Sequence, residues 1–339
     1  MRPMTQRYWN LIAWLCSVSM AGAVSGLAAG VPEQVKPDPL PAWAFAVNAP
    51  DAATTGPVPT QDSTPRHVPG SAVAFTGPQT RDYFNPPDWH PEGHPVMPAI
   101  VAHGRAPDVI ACGYCHLPNG LGRPENSGIA GLPAVYIVQQ LSDFRTGKRR
   151  SSEPRHLPTA YMVGRETRAT DEEVAVAAAY FASLGPKAWI RVVETKEVPE
   201  SRVAGWMHVA TASGRTEPIG QRIIEMAEDL ERTELRDDAS GFIAFVPRGS
   251  LARGRRQVET GGAGGRTTSC PVCHGPDLKG VGVVPSIAGR SPSYIVRQLY
   301  DMQHGARTGA GAAPMMPVVA RMTNADRVAI AAYLASLRP

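Results

Sequence analysis

The sequence has little excess charge of either sign, no cysteine to spare, and almost no long apolar run. Lys and Arg number 34 against 30 Asp and Glu, a formal net charge of +4. Arg2 and Arg7 lie in an N-terminal segment that reads as a leader, and without them 32 basic residues face 30 acidic ones. So small a balance excludes an electrostatic nucleic-acid binder. Of five cysteines, Cys16 lies in the leader. The other four are taken up by two C-x-x-C-H runs, which excludes a structural disulfide between distant parts of the chain. The one uncharged apolar stretch, 11–29, is close to the shortest that spans a bilayer and is diluted by Ser and Gly. Basic residues before it and the small-residue run "AGAVSGLAAG" predict a cleavable secretory signal over 1–29, cut after Ala23 or near Ala29. An uncleaved anchor is the weaker alternative.

What is present is a module used twice. "CGYCHLPNG" at 112–120 matches "CPVCHGPDL" at an offset of 158, and "GLPAVYIVQQLSDFRTGKR" matches "GRSPSYIVRQLYDMQHGAR" at the same offset. "YMVGRETRATDEEVAVAAAYFASL" then matches "PMMPVVARMTNADRVAIAAYLASL" at an offset of 153. Each copy predicts a short helix before the motif (99–103 and 250–258), a middle helix (134–144 and 292–302) and a final helix. Ser291 followed by Pro292 starts the second middle helix. Thr170 and Glu173 form a capping box ahead of the stripe Ala177, Tyr180, Phe181 and Leu184, which Gly185–Pro186 ends. Thr323 caps the counterpart, whose stripe is Ile330, Tyr333, Leu334 and Leu337.

Outside the copies, 30–95 is a proline-rich arm. The connector 187–248 has strand-like runs "WIRVVET", "GWMHVA" and "GFIAFVP", with "PIGQRIIEMAEDLER" read as an amphipathic helix. A connector this long is expected to fold. The chain therefore divides into 1–29 signal, 30–95 arm, 96–186 first module, 187–248 connector and 249–339 second module.

A C-x-x-C pair serves three chemistries. A zinc site needs two such pairs together, which would tie separate modules and leave His116 and His274 without a role. A redox dithiol needs a preceding strand and following helix, and neither flank supplies them. Covalent haem attachment uses every residue: Cys112 with Cys115, and Cys270 with Cys273, add to the haem vinyl groups, and His116 and His274 bind iron from one side. An export signal agrees with this chemistry. Two C-x-x-C-H motifs thus predict two haem c groups.

For the opposite face of iron, Met162 and Met315 occupy the same place in the two copies, in proline-bearing loops eight residues before the capping Thr. A lone Met is ordinarily a core filler; two at equivalent positions are read as ligands. Met316 rivals Met315, but the offset pairs it with Val163, and Met322 is read as core. His67, His90, His94 and His103 precede the first motif, with "DWHPEGH" a reserve source of ligands. His156 and His304 are expected beside exposed haem edges, and "TGKRR" (146–150) with Arg155 is a candidate basic patch for an acidic partner.

Each copy, by its helix, C-x-x-C-H, middle helix, Met loop and final "AAYFASL" or "AAYLASL" helix, resembles a class I cytochrome c. The pair resembles the periplasmic dihaem cytochromes c, over 96–186 and 249–339. The resemblance implies a mainly α fold, two class I cytochrome c domains in tandem, with the arm and a small mixed connector of short strands added. It implies a periplasmic electron carrier with His/Met-ligated haems, not an enzyme, exchanging electrons with redox proteins such as a membrane or periplasmic dehydrogenase or oxidase. A dihaem cytochrome c peroxidase and an electron-transfer subunit of such a complex are the alternatives. In the family a proline carbonyl often receives the N–H of the ligand His; Pro285 fits, and Ser127 stands at its place in the first copy.

Overall fold

A computed structural model describes residues 38–48 and 62–339. The expected signal segment, Cys16 included, lies outside the described residues. The arm contributes one helical turn, α1 (Ala42–Phe45), and irregular chain with two 3-10 turns. The first module follows: α2 (Ala99–Ala102), α3 (Cys112–His116), α4 (Ala134–Arg145), α5 (Leu157–Gly164) and α6 (Asp171–Ser183). The connector holds β1 (Ile190–Thr195), β2 (Glu197–Pro199), β3 (Ser201–Ala204), β4 (Met207–Ala210), β5 (Thr216–Pro218), β6 (Ile224–Ala227), α7 (Leu230–Glu234) and β7 (Phe242–Pro247). The second module is α8 (Ser250–Thr260), α9 (Pro271–His274), α10 (Pro292–Gln303), α11 (Met316–Val319) and α12 (Asn324–Ser336). Among the described residues no helix is long and apolar enough to cross a membrane.

The caps form as the sequence requires. Thr170 accepts from the Glu173 N–H while Glu173 accepts from the Thr170 N–H, and Thr323 with Asp326 repeats the arrangement. The α6 stripe Ala177, Tyr180, Phe181 and Leu184 is buried in the first core with Ile100 and Ile137. In the second module α8 crosses α12 so closely that a Cβ on Gly254 would stand 1.9 Å from the Ala329 carbonyl oxygen. Met322 is buried core, as expected.

Two expectations fail on secondary structure. "PIGQRIIEMAEDLER" is a strand and a separate short helix, because Ile224, Glu225 and Met226 are buried in β6 while Asp229 caps α7. Met162 lies within α5, and Met315 ends a 3-10 turn at Ala310–Met315, so their segments are helical rather than loops. Pro158 near the start of α5, and Pro317 at the start of α11, are compatible with helix initiation.

The connector sheet runs β1-β7-β6, with β1 parallel and β6 antiparallel to β7. Ala244 and Val246 of β7 pack into the second module's core, while Phe245 faces a satellite cluster of Val198, Ile219, Ile224 and Met226. The arm is anchored in the same core by Phe45, and Arg297 donates to the Ala44 carbonyl at 2.6 Å. Farther along, Trp89 packs with Val68 and Leu235 and donates to the Leu235 carbonyl at 2.8 Å.

The modules meet through residues related by the 158-residue offset. Arg149 donates to Gln140, Tyr294 and Gln298; its counterpart Arg307 donates to Gln298, Tyr136 and Gln140. The Arg150 N–H donates to the Ala306 carbonyl and the Thr308 N–H to the Lys148 carbonyl, both at 2.7 Å. This is the reciprocal pattern of a two-fold junction, here within one chain.

Candidate functional site

The C-x-x-C-H run of the first copy is itself one short helix, α3, which sets Cys112, Cys115 and His116 at i, i+3 and i+4 on one face. Cys270 is the N-cap of α9, whose Cys273 is exposed and His274 buried. Burial holds Cys112 well above the ordinary thiol range and pushes Cys115 and Cys270 up to about 11. That is opposite to the depressed value of a reactive dithiol.

His116 Nδ1 lies 2.8 Å from the Ser127 carbonyl, and His274 Nδ1 2.8 Å from the Pro285 carbonyl. A carbonyl only accepts, so each Nδ1 carries the proton and each Nε2 keeps a lone pair for a metal. Burial lowers both imidazole pKa values, with the carbonyl bonds opposing it. The contact survives replacement of Pro by Ser because the backbone makes it.

Cys112, Cys115, His116 and Met162 line one cleft with about 1330 Å³ of empty space, its mouth included. Its walls are mostly apolar, with Ile137, Phe144 and Phe181 among them. Arg149 and Arg150 also line it. An apolar slot with thiols, a free imidazole lone pair and guanidinium groups fits a flat macrocycle carrying two carboxylates. Tyr294, Arg297 and Gln298 of the second module complete the lining, so the cleft reaches the module junction. In the second module Cys270, Met315 and Met316 all pack against one hydrophobic core. That packing does not separate the two methionines.

Several sequence expectations are corrected. His156 is buried, not beside an exposed edge: it lines the first cleft with Nδ1 2.9 Å from the Thr159 hydroxyl, and Nε2 has no hydrogen-bond partner. His304 instead stacks on Tyr300, ring centroids 3.8 Å apart. The basic patch is smaller than expected: Arg149 is buried in the junction and Arg155 pairs with Glu153 at 2.9 Å, while Lys148 and Arg150 are exposed. His90 and His94 are engaged elsewhere, with Asp237 at 3.0 Å and Asp88 at 3.1 Å. His67 is exposed, and His103 pairs with Asn85 at 3.1 Å.

Glu166 was not legible as a site residue. It lines the cleft, accepts from the Ile110 N–H at 3.3 Å, and burial pushes its carboxyl up to about 7. Its counterpart at offset 153 is Val319, which is buried. An acid where the other copy keeps an apolar side chain is the signal that could have found it.

The family model for cytochrome c matches residues 108–185 and 258–338. The chain is 25% identical over 249 residues to "Cytochrome c4" of Azotobacter vinelandii, covering 72% of this chain and 91% of that protein. It is 27% identical over 233 residues to "Thiosulfate dehydrogenase electron acceptor" of Thiomonas intermedia, covering 68% and 80%. It is 33% identical over 69 residues to "Cytochrome c-554(548)" of Halomonas halodenitrificans, covering 20% of this chain and 83% of that protein. The chain belongs to the cytochrome c family, as a member with two tandem cytochrome c domains and two covalently bound haem c groups.

Proposed function

We propose that the protein is an exported, periplasmic carrier of single electrons with two His/Met-ligated haems, its modules spanning 96–186 and 249–339. Haem supplies one-electron chemistry when bound. Cys112 and Cys115 hold one group as thioethers, and Cys270 and Cys273 the other. His116 and His274 present Nε2 to iron, oriented by the Ser127 and Pro285 carbonyls. Met162 and Met315 would supply the second ligand of each iron, neutral thioethers that would favour the reduced state and raise the potential. With a Met as well as a His bound, neither iron would keep a free position for peroxide, which would set the carrier apart from a peroxidase.

The observation that carries this reading is the first cleft: one space lined by both thiols, His116 and Met162, and extending to residues of the second module. The similarity to "Thiosulfate dehydrogenase electron acceptor" supports a second, narrower reading, in which the donor is a dehydrogenase. Potentiometric titration of the haem-loaded protein is expected to take up two electrons per chain reversibly, with no consumption of hydrogen peroxide. Catalytic peroxide turnover would replace the carrier with the peroxidase.

A further inference from the structure

Between the arm and the connector, outside both cytochrome domains, lies a cluster that electron transfer does not use. His90, Asp237 and Asp238 place one ligand atom each within 4.8 Å of one another. The His90 Nε2 is 3.0 Å from Asp237 Oδ1 and 3.9 Å from Asp238 Oδ1. Tetrahedral ligands at about 2.0–2.1 Å from a metal stand about 3.3–3.4 Å apart, between those two separations.

The two carboxylates differ in how they are satisfied. Asp237, 2% exposed, is held in place: Oδ2 accepts from Arg232 Nε at 2.7 Å and Oδ1 from the Ala239 N–H at 2.9 Å. Groups of this kind fix a ligand's orientation. Asp238 is 6% exposed, and its Oδ1, facing His90, has no hydrogen-bond partner. A buried carboxylate oxygen left unpaired is costly, and a cation removes the cost. Its backbone is pinned as well, because Asn119 Nδ2 donates to the Asp238 carbonyl at 2.5 Å. A cleft lined by His90, Asn119, Asp229 and Asp238 opens beside the cluster and gives a path for an ion and a water.

We propose that His90, Asp237 and Asp238 bind one divalent cation, Zn²⁺ by the chemistry of the donor set, with a fourth position open to water from the adjoining cleft. One imidazole and two carboxylates suit zinc; calcium takes six to eight oxygen ligands and magnesium an octahedron, which three donors at this spacing do not provide. Arg232 is held against Asp237, and Glu92 Oε1 lies 3.7 Å from His90 Nδ1, so an ion would enter a site of net negative charge. The ion would tie the arm, through His90, to the connector, through Asp237 and Asp238, next to the loop that follows His116.

The test is isothermal titration calorimetry of the chelator-treated, haem-loaded protein with zinc chloride, and with calcium chloride in parallel. One zinc per chain is expected, with affinity falling about tenfold or more in His90→Ala and in Asp238→Asn and unchanged in His94→Ala. An unaltered haem spectrum shows that each variant is folded. Absence of stoichiometric zinc binding to the unmutated protein overturns the proposal. So does binding that both variants retain, and calcium binding tighter than zinc overturns the assignment of the ion.

Discussion

Leu117, the residue after the first motif, holds φ at 63°, and its counterpart Gly275 holds 84°. The chain must turn through the left-handed region there to bring the next segment back beneath the imidazole. Glycine does so without steric cost, whereas Leu117 is held there with its side chain buried. Glu166 shows a second difference between copies, with a functional consequence. Burial pushes its carboxyl up to about 7 on the wall of the first cleft. Deprotonation adds a negative charge there and favours ferric iron. The potential of the first haem should therefore fall as pH rises through about 7, while Glu166→Gln flattens that dependence; redox titration across this range checks it. The sign for stability runs the same way. The folded chain keeps a proton that the unfolded chain releases near pH 4.5, so this contribution weakens between about pH 4.5 and 7.

At the level of elements, the capping boxes at Thr170 and Thr323, the middle helices and the strands from "WIRVVET" and "GFIAFVP" were legible because local patterns specify them. What was not legible depended on tertiary partners. Ile224, Glu225 and Met226 alternate too weakly to mark a strand, and they become one because β7 pairs with them. Arg149 reads as a surface charge until the second module supplies Tyr294 and Gln298. Gly254 belongs to the same class: its role exists only because α12 lies against it. Gly254→Ala should destabilise the second module by about 1–3 kcal/mol or more, since the Ala329 backbone cannot yield without parting two packed helices. Gly164→Ala, at an open helical position, should cost nothing, and thermal unfolding of the two haem-loaded variants makes the comparison.

Over the whole molecule, the two copies expose their attachment faces differently. Val272, Val281 and Val283 around the second motif are 74%, 59% and 63% exposed. Their counterparts Tyr114, Arg123 and Glu125 are buried. The connector covers the first two: the Arg236 guanidinium lies 3.5 Å over the Tyr114 ring, and Arg123 donates to the Thr233 carbonyl at 3.2 Å. The face that the first module closes with its own chain is open and apolar on the second, beside exposed Cys273. Electrons are thus expected to pass to and from a partner redox protein at the second module, and between modules across the Arg149–Arg307 junction. Val272→Lys and Val283→Lys should slow bimolecular electron exchange several-fold, measured by stopped-flow absorbance. The unmutated protein's rate should depend weakly on salt, because the face is apolar.

The ligand set of the two irons is the most direct test of the account, and the ferric absorption spectrum, read with a pyridine haemochrome count, measures it. Two haems per chain are predicted, both low-spin, with a methionine–iron band that Met162→Ala and Met315→Ala each reduce by half. One haem per chain, a high-spin ferric component in the unmutated protein, or a band indifferent to both substitutions would contradict it.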